Sequence, residues 1–168
     1  AEGAMYDVTL ARERDQLLRF TLRKTRLSEL VRPADTVLTT EATVGDALQM
    51  YLDYPVRFIY VVDENNHYLG VIAQPELMRL LMNHQDAHDE PIGEVLKLDY
   101  VQTLMPHMSL DHAQEQFMDF VGERLPVIRS LEEPRLIGVV YKSALLEKYS
   151  ALKRSLDASS EALVSLHR

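Results

Sequence analysis

The chain has 168 residues, 46% hydrophobic and 26% charged, the composition of a water-soluble globular protein of one ordinary domain or two small ones. It has no cysteine, so disulfides, thiol nucleophiles and thiolate metal sites are excluded, and a reducing interior fits. A net charge of −8 argues against a nucleic-acid partner, and no apolar run is long enough to span a bilayer.

The charge is uneven: residues 1–32 hold seven Lys/Arg against five Asp/Glu, and the rest hold 11 against 21. A mildly basic arm thus precedes an acidic body. There is no secretory signal pattern. The opening "AEGAM" lacks an initiator Met, as expected of a piece of a longer protein.

In chain order, "DVTLARERDQLLRFTLRKTR" reads as a helix with Leu10, Leu17 and Leu18 on one stripe. Its arginine density is a local sign of an anionic or membrane-surface partner, set against the plainer reading of a solvated connecting helix. Pro33 ends the short "LSELVR" turn, and "TVLTT" is extended. Thr43 is placed to cap "VGDALQMYLD", whose buried face is Val44, Ala47, Leu48 and Tyr51. "RFIYVVD" and "YLGVIA" are strands around the turn "ENNH", and Pro75 suits the first turn of the helix "PELMRLLMN".

The order then recurs. "PIGEVL" matches "RLSELV", "YVQTLMP" is extended, and Ser109 is placed to cap "SLDHAQEQFMDFV". "RLPVIR" and "RLIGVVY" are strands around "SLEEP", and "SALLEKYSALKRSL" is the closing helix, capped by Ser143. Ala47 aligns with Ala113, Val61 with Val127 and Gly70 with Gly138, a nearly constant offset that makes duplication the strongest signal in the chain. The expected architecture is α+β: two βαββα-type repeats packed sheet to sheet about a pseudo-twofold axis. Its parts are a linker helix over 1–26, repeats over 27–90 and 91–150, and a C-terminal helix or tail over 151–168 interrupted at Ser159 and Ser160.

These motifs together resemble the CBS (cystathionine-β-synthase) domain in tandem, the Bateman module. The residues that carry the resemblance are "TVGDALQMYL", "IYVVDENNHYLGVI" and "PELMRLL", and then "SLDHAQEQFM", "RLPVIR", "LIGVV" and "SALLEKY". It implies a regulatory, non-catalytic module that binds an adenosine ligand such as AMP, ADP or ATP between its repeats and pairs into a homodimer. The implied nucleotide signature is a glycine ending the strand, a Ser/Thr three residues on and an Asp three further. Such a hydroxyl sits where helix N-terminal N–H groups favour phosphate, and the acid would hold the ribose hydroxyls. The same spacing also serves as a capping box.

Both copies depart from the signature. "GVIAQPEL" has Ala73 for the hydroxyl and Glu76 for the acid, whereas "GVVYKSAL" has Tyr141 and Ala144. At most one cleft is therefore expected to be live, formed by Gly70, Ala73 and Glu76 with Val37 to Thr39 as its other wall. The second site, at Gly138, Tyr141 and Ala144, is expected to be degenerate.

The cluster His84, Asp86, His88, Asp89 and Glu90 has the i, i+4 histidines of a metal site but reads better as a solvated linker, so no metal is expected. His107 and His112 have no evident partner. Asp111, Glu115 and Asp119 share a helix side, as in acidic divalent-cation sensors, but a solvated face is the simpler account. No nucleophile elbow, phosphate-binding glycine loop or zinc-protease helix is present, so no enzyme is expected.

The flanks "MYDVTLARERDQL" and "LLEKYSALKRSL" look like the cytoplasmic tail of bacterial chloride channel/antiporter-family proteins. That likeness implies tethering at the cytoplasmic face of the membrane through a preceding transmembrane part. Other CBS-bearing transporters, magnesium transporters among them, are the alternative, as is a ligand-free dimerisation module.

Overall fold

A computed structural model describes residues 2–166. The chain folds as two compact units that cut across the sequence repeats. One holds residues 31–106 and 124–140; the other holds the first 30 residues, 107–123 and the stretch from 141 onward.

The first unit carries both sheets. Strands β1 (Val37–Thr39), β2 (Phe58–Val62) and β3 (Tyr68–Ala73) form a sheet in that order, with β1 parallel and β3 antiparallel to β2. Strands β4 (Arg124–Ile128) and β5 (Leu136–Tyr141, its last residue in the other unit) form the second sheet. Leu104 extends that sheet by a single parallel bridge to Val127. This is all that remains of the extended "YVQTLMP", yet it occupies the place of β1, since Val37 pairs with Tyr60 in the same sense. Tyr60, one residue before the expected Val61, is thus the structural counterpart of Val127.

Strand β2 is an aromatic and β-branched run, β4 reads Arg-Leu-Pro-Val-Ile, and both are buried on both faces apart from half-buried Phe58. Helix α2 (Val44–Asp53) starts at a complete capping box: Thr43 Oγ1 accepts from Asp46 N at 3.1 Å, and Asp46 Oδ2 accepts from Thr43 N at 2.9 Å. Helices α3 (Gln74–Asn83) and α4 (Ile92–Val95) complete the cover, and the core they close is Val44, Ala47, Ile59, Val61, Ile72, Leu77 and Ile92.

The pseudo-twofold relation is visible in three bridges. His67 pairs antiparallel with Arg135, its own counterpart, so the local axis passes between them. Arg32 pairs with Val139 and Asp99 with Val71, a matched exchange in which the segment leading each repeat adds to the last strand of the other.

The second unit is helical, made of α1 (Glu2–Lys24), a 3-10 turn at Leu27–Leu30, α5 (Leu110–Met118) and α6 (Lys142–Leu166). Its interior is Leu18, Leu22, Leu27, Leu110, Ala113, Phe117 and Leu145. Ion pairs Arg14–Asp157 at 3.3 Å and Glu29–Lys148 at 3.2 Å show α1 and α6 running antiparallel.

Three details correct the sequence reading. Helix α6 is unbroken at Ser159, whose hydroxyl donates back to Ser155 O at 3.1 Å and so joins the helix rather than ending it. Ser143 lies inside α6 and is no cap, because β5 passes straight into the helix. Ser109 occupies the N-cap position of α5, but its hydroxyl makes no cap bond and donates to Asp111 Oδ1 at 2.5 Å.

Candidate functional site

The two glycines of the repeated turn are dictated by the strand exchange. A Cβ on Gly70 would lie 2.6 Å from Asp99 O, and φ there is +153°. A Cβ on Gly138 would lie 2.3 Å from Arg32 O. Each glycine precedes the residue that exchanges backbone hydrogen bonds with the crossing segment: Val71 with Asp99 at 2.8 and 2.9 Å, and Val139 with Arg32 at the same distances. Glycine is needed where two backbones approach this closely. At Gly70 the strand also bulges, since Val61 opposes Gly70 and Val62 opposes Tyr68.

Beyond Gly70, β3 runs directly into α3. Ala73 is the N-cap and offers no side-chain bond, and Pro75 removes a backbone N–H from the first turn. Glu76 follows in that turn, half-buried, with Oε2 2.7 Å from Arg79 Nη1. Gly138 lies within β5, Tyr141 ends it, and Ala144 lies in the first turn of α6.

Sheet order decides which predicted residues meet. Ala73 pairs with Phe58 at the start of β2. Val37 pairs with Tyr60, two rows along, and Thr39 pairs with Val62, four rows along. At about 3.3 Å per residue, Thr39 stands some 13 Å further along the strands than Ala73, on the opposite side of β2. Thr39 therefore does not wall the Glu76 turn: β1 is parallel to β2 and runs away from it.

Two residues that the sequence reading passed over lie at that end instead. Thr36 precedes β1 and is fully buried, and Arg124 begins β4 and is 8% exposed. Arg124 Nη2 donates to Thr36 Oγ1 and, at 3.2 Å, to the carbonyl of Phe58, the ladder partner of Ala73. Its guanidinium also lies over the Tyr60 ring, 4.9 Å from the centroid. Among the described residues no carboxylate pairs with it. A buried cation costs several kcal/mol in desolvation unless something negative or strongly polar answers it. A hydroxyl, a carbonyl and a ring face answer only part of its five donors. The available signal was that "RLPVI" and "RFIYV" are the same strand, which makes Arg124 the buried counterpart of exposed Arg57.

At the same end, the Tyr51 hydroxyl donates to the carbonyls of Ile72 and, at 3.2 Å, of Arg57. Burial pushes its pKa from 10.0 up to about 12, against the opposing pull of Arg124. Burial likewise raises Tyr68, which donates to Val101 O at 3.3 Å.

The histidine cluster forms a 3-10 turn at Gln85–Asp89, with the His88 ring against Gly45 and 3.3 Å from Asp89 Oδ1. Among the described residues no group of three or more His, Asp or Glu is placed to hold a metal ion. Asp111 takes the Ser109 hydroxyl and Asp119 is the C-cap of α5.

Residues 27–83 match the CBS domain family. A CBS domain pair/ACT domain protein from Thermotoga maritima has TM-score 0.60 at 23% identity, covering 74% of this chain and 95% of that one. The fold is that of a CBS domain pair. The family match ends within the first repeat, and the second is related to it by the three bridges His67–Arg135, Arg32–Val139 and Asp99–Val71.

Two further solved structures of similar fold are CbpB in complex with c-di-AMP and the soluble part of a magnesium transporter. CbpB has TM-score 0.69 at 15% identity, covering 90% of this chain and 99% of that one. The transporter portion has TM-score 0.59 at 17% identity, covering 77% and 49%. Among curated proteins, inosine-5'-monophosphate dehydrogenase from Aquifex aeolicus (strain VF5) is 21% identical over 119 residues, 71% of this chain. The chain spans 23% of that enzyme's length.

Proposed function

We propose that this CBS pair is a non-catalytic regulatory module that senses an adenosine nucleotide at one site, beside the β3–α3 turn. The observation that carries the reading is Arg124, a buried cation with no acid partner among the described residues, whose side chain reaches the carbonyl of Phe58, the ladder partner of Ala73. A phosphate would answer its free donors, and Glu76, in the first turn of α3, would take the ribose hydroxyls after releasing Arg79. Gly70, Ala73, Val37 and Thr36 would form the walls. The c-di-AMP complex of CbpB, an adenine dinucleotide on the same fold, supports this ligand class. The degenerate turn at Gly138, Tyr141 and Ala144 would bind nothing.

The parent protein would be a membrane transporter, with the chloride channel/antiporter family first and a magnesium transporter as the alternative. The likeness to the soluble part of a magnesium transporter supports the general class. In this reading the module sits at the cytoplasmic face and pairs with a second copy. Ligand would act by binding one arrangement of the module better than another. A second reading, a ligand-free dimerisation module, is favoured by one observation: neither turn keeps the phosphate hydroxyl.

The deciding experiment is thermal unfolding with about 1 mM AMP, ADP or ATP. A dissociation constant of about 10 μM would stabilise the fold by about 2.7 kcal/mol, a shift of several degrees. Glu76→Ala and Arg124→Met should each reduce the shift. No shift with any of the three, or a shift in both variants as large as the parent's, rejects the site.

A further inference from the structure

Helix α1 carries a basic face that makes no ion pair among the described residues. Arg12, Arg19 and Arg23 are exposed and fall at i, i+7 and i+11, one stripe about 16 Å long. Arg26 lies just beyond the helix end, its Nη1 3.5 Å from Arg23 O. Among the described residues none of these four has a carboxylate partner; the ion pairs of this unit are Arg14–Asp157 and Glu29–Lys148. Lys24 adds a fifth cation, 5.4 Å from the centroid of the Phe20 ring. Glu13 and Asp15 are the exposed acids of the same stretch.

The face is also apolar where a solvated helix would not be. Phe20 is 51% exposed and Leu17 49%, although α1 has already buried Leu18 and Leu22. At 100° per residue, Phe20 lies on the far side of the arginine stripe from those two leucines. An aromatic ring flanked by cations on the outer face of a helix is the arrangement that lies in a lipid headgroup layer, with the ring dipping inward and the cations on anionic phosphates.

We infer that the outer face of α1 docks on an anionic lipid surface through Arg12, Arg19 and Arg23, with Phe20 as its apolar anchor. This holds whichever protein carries the module and does not depend on nucleotide binding.

Co-sedimentation of the full chain with vesicles tests it. With phosphatidylcholine containing about 30% phosphatidylglycerol, in about 50 mM salt, the bound fraction should exceed that on neutral phosphatidylcholine by about tenfold and disappear near 0.5 M salt. Arg12→Gln/Arg19→Gln/Arg23→Gln should lower it about tenfold with the unfolding temperature unchanged. Arg19→Gln alone should lower it by about threefold, which keeps the test open if the triple variant loses helix. Equal binding to both vesicle types, or variants that bind like the parent, overturns the inference. So does equally tight binding to heparin together with no effect of Phe20→Ser, which would mark a general polyanion face instead.

Discussion

Gly138 has no room for a methyl group. With Arg32 O 2.3 Å from where a Cβ would stand and Val31 Cγ1 at 2.8 Å, Gly138→Ala must push two hydrogen-bonded backbones apart. The expected loss is about 2–4 kcal/mol, the range of overpacking combined with a broken bridge, read by chemical denaturation. A loss below about 0.5 kcal/mol would show that the exchanged segment gives way. Tyr51 poses a different question, of pH. Its hydroxyl stays protonated in the fold to about 12, while an unfolded tyrosine ionises near 10.0. Its contribution is therefore complete below pH 10 and is lost as pH rises toward 12. Tyr51→Phe should cost about 1 kcal/mol at neutral pH, and the gap to the parent should narrow through that alkaline window. A gap constant across the window would reject the assignment.

At the scale of elements, the duplicated first helices start differently although their sequences look alike. Thr43 holds Asp46 N and is answered by Asp46 in a full capping box, whereas Ser109 spends its hydroxyl on Asp111. Thr43→Ala should cost about 1 kcal/mol and Ser109→Ala less than half as much, measured by urea unfolding of the two variants in parallel. Equal losses would contradict the geometry. The strands diverge in the same manner. β1 has three residues paired to β2, while its counterpart is a single bridge at Leu104, so the second sheet rests chiefly on β4 and β5.

At the scale of the whole molecule, the repeats of the sheet-bearing unit do not stand apart. His67 bridges Arg135, and each repeat's leading segment completes the other's sheet. Gly138→Ala should therefore lower one cooperative transition of that unit rather than release a second repeat from an intact first.

Periodicity and turn chemistry act over a few residues, so they were enough to mark out the repeat, the two central strands, α2 and Thr43 at its cap. The limits of "YLGVIA" and "VGDALQMYLD" could be read directly because β-branched runs, capping residues and prolines bound them. The position of Glu76 in the first turn of α3 was legible for the same reason: it is fixed by its distance from a glycine in one local turn.

Tertiary structure alone decided what lies opposite that turn. Strand order, with β1 parallel to β2, carries Thr39 away from Ala73, and no local pattern contains that fact. Arg124 is 48 residues from Glu76 and reads as an ordinary strand-leading arginine until the fold sets it on Thr36 and the Phe58 carbonyl. The glycines gained a second meaning in the same way: read from the sequence as part of a ligand motif, they also stand where a crossing backbone leaves no room for a Cβ. Local sequence specifies what a short segment prefers to be. Which segments meet depends on burying both sheets at once, a property of the whole chain.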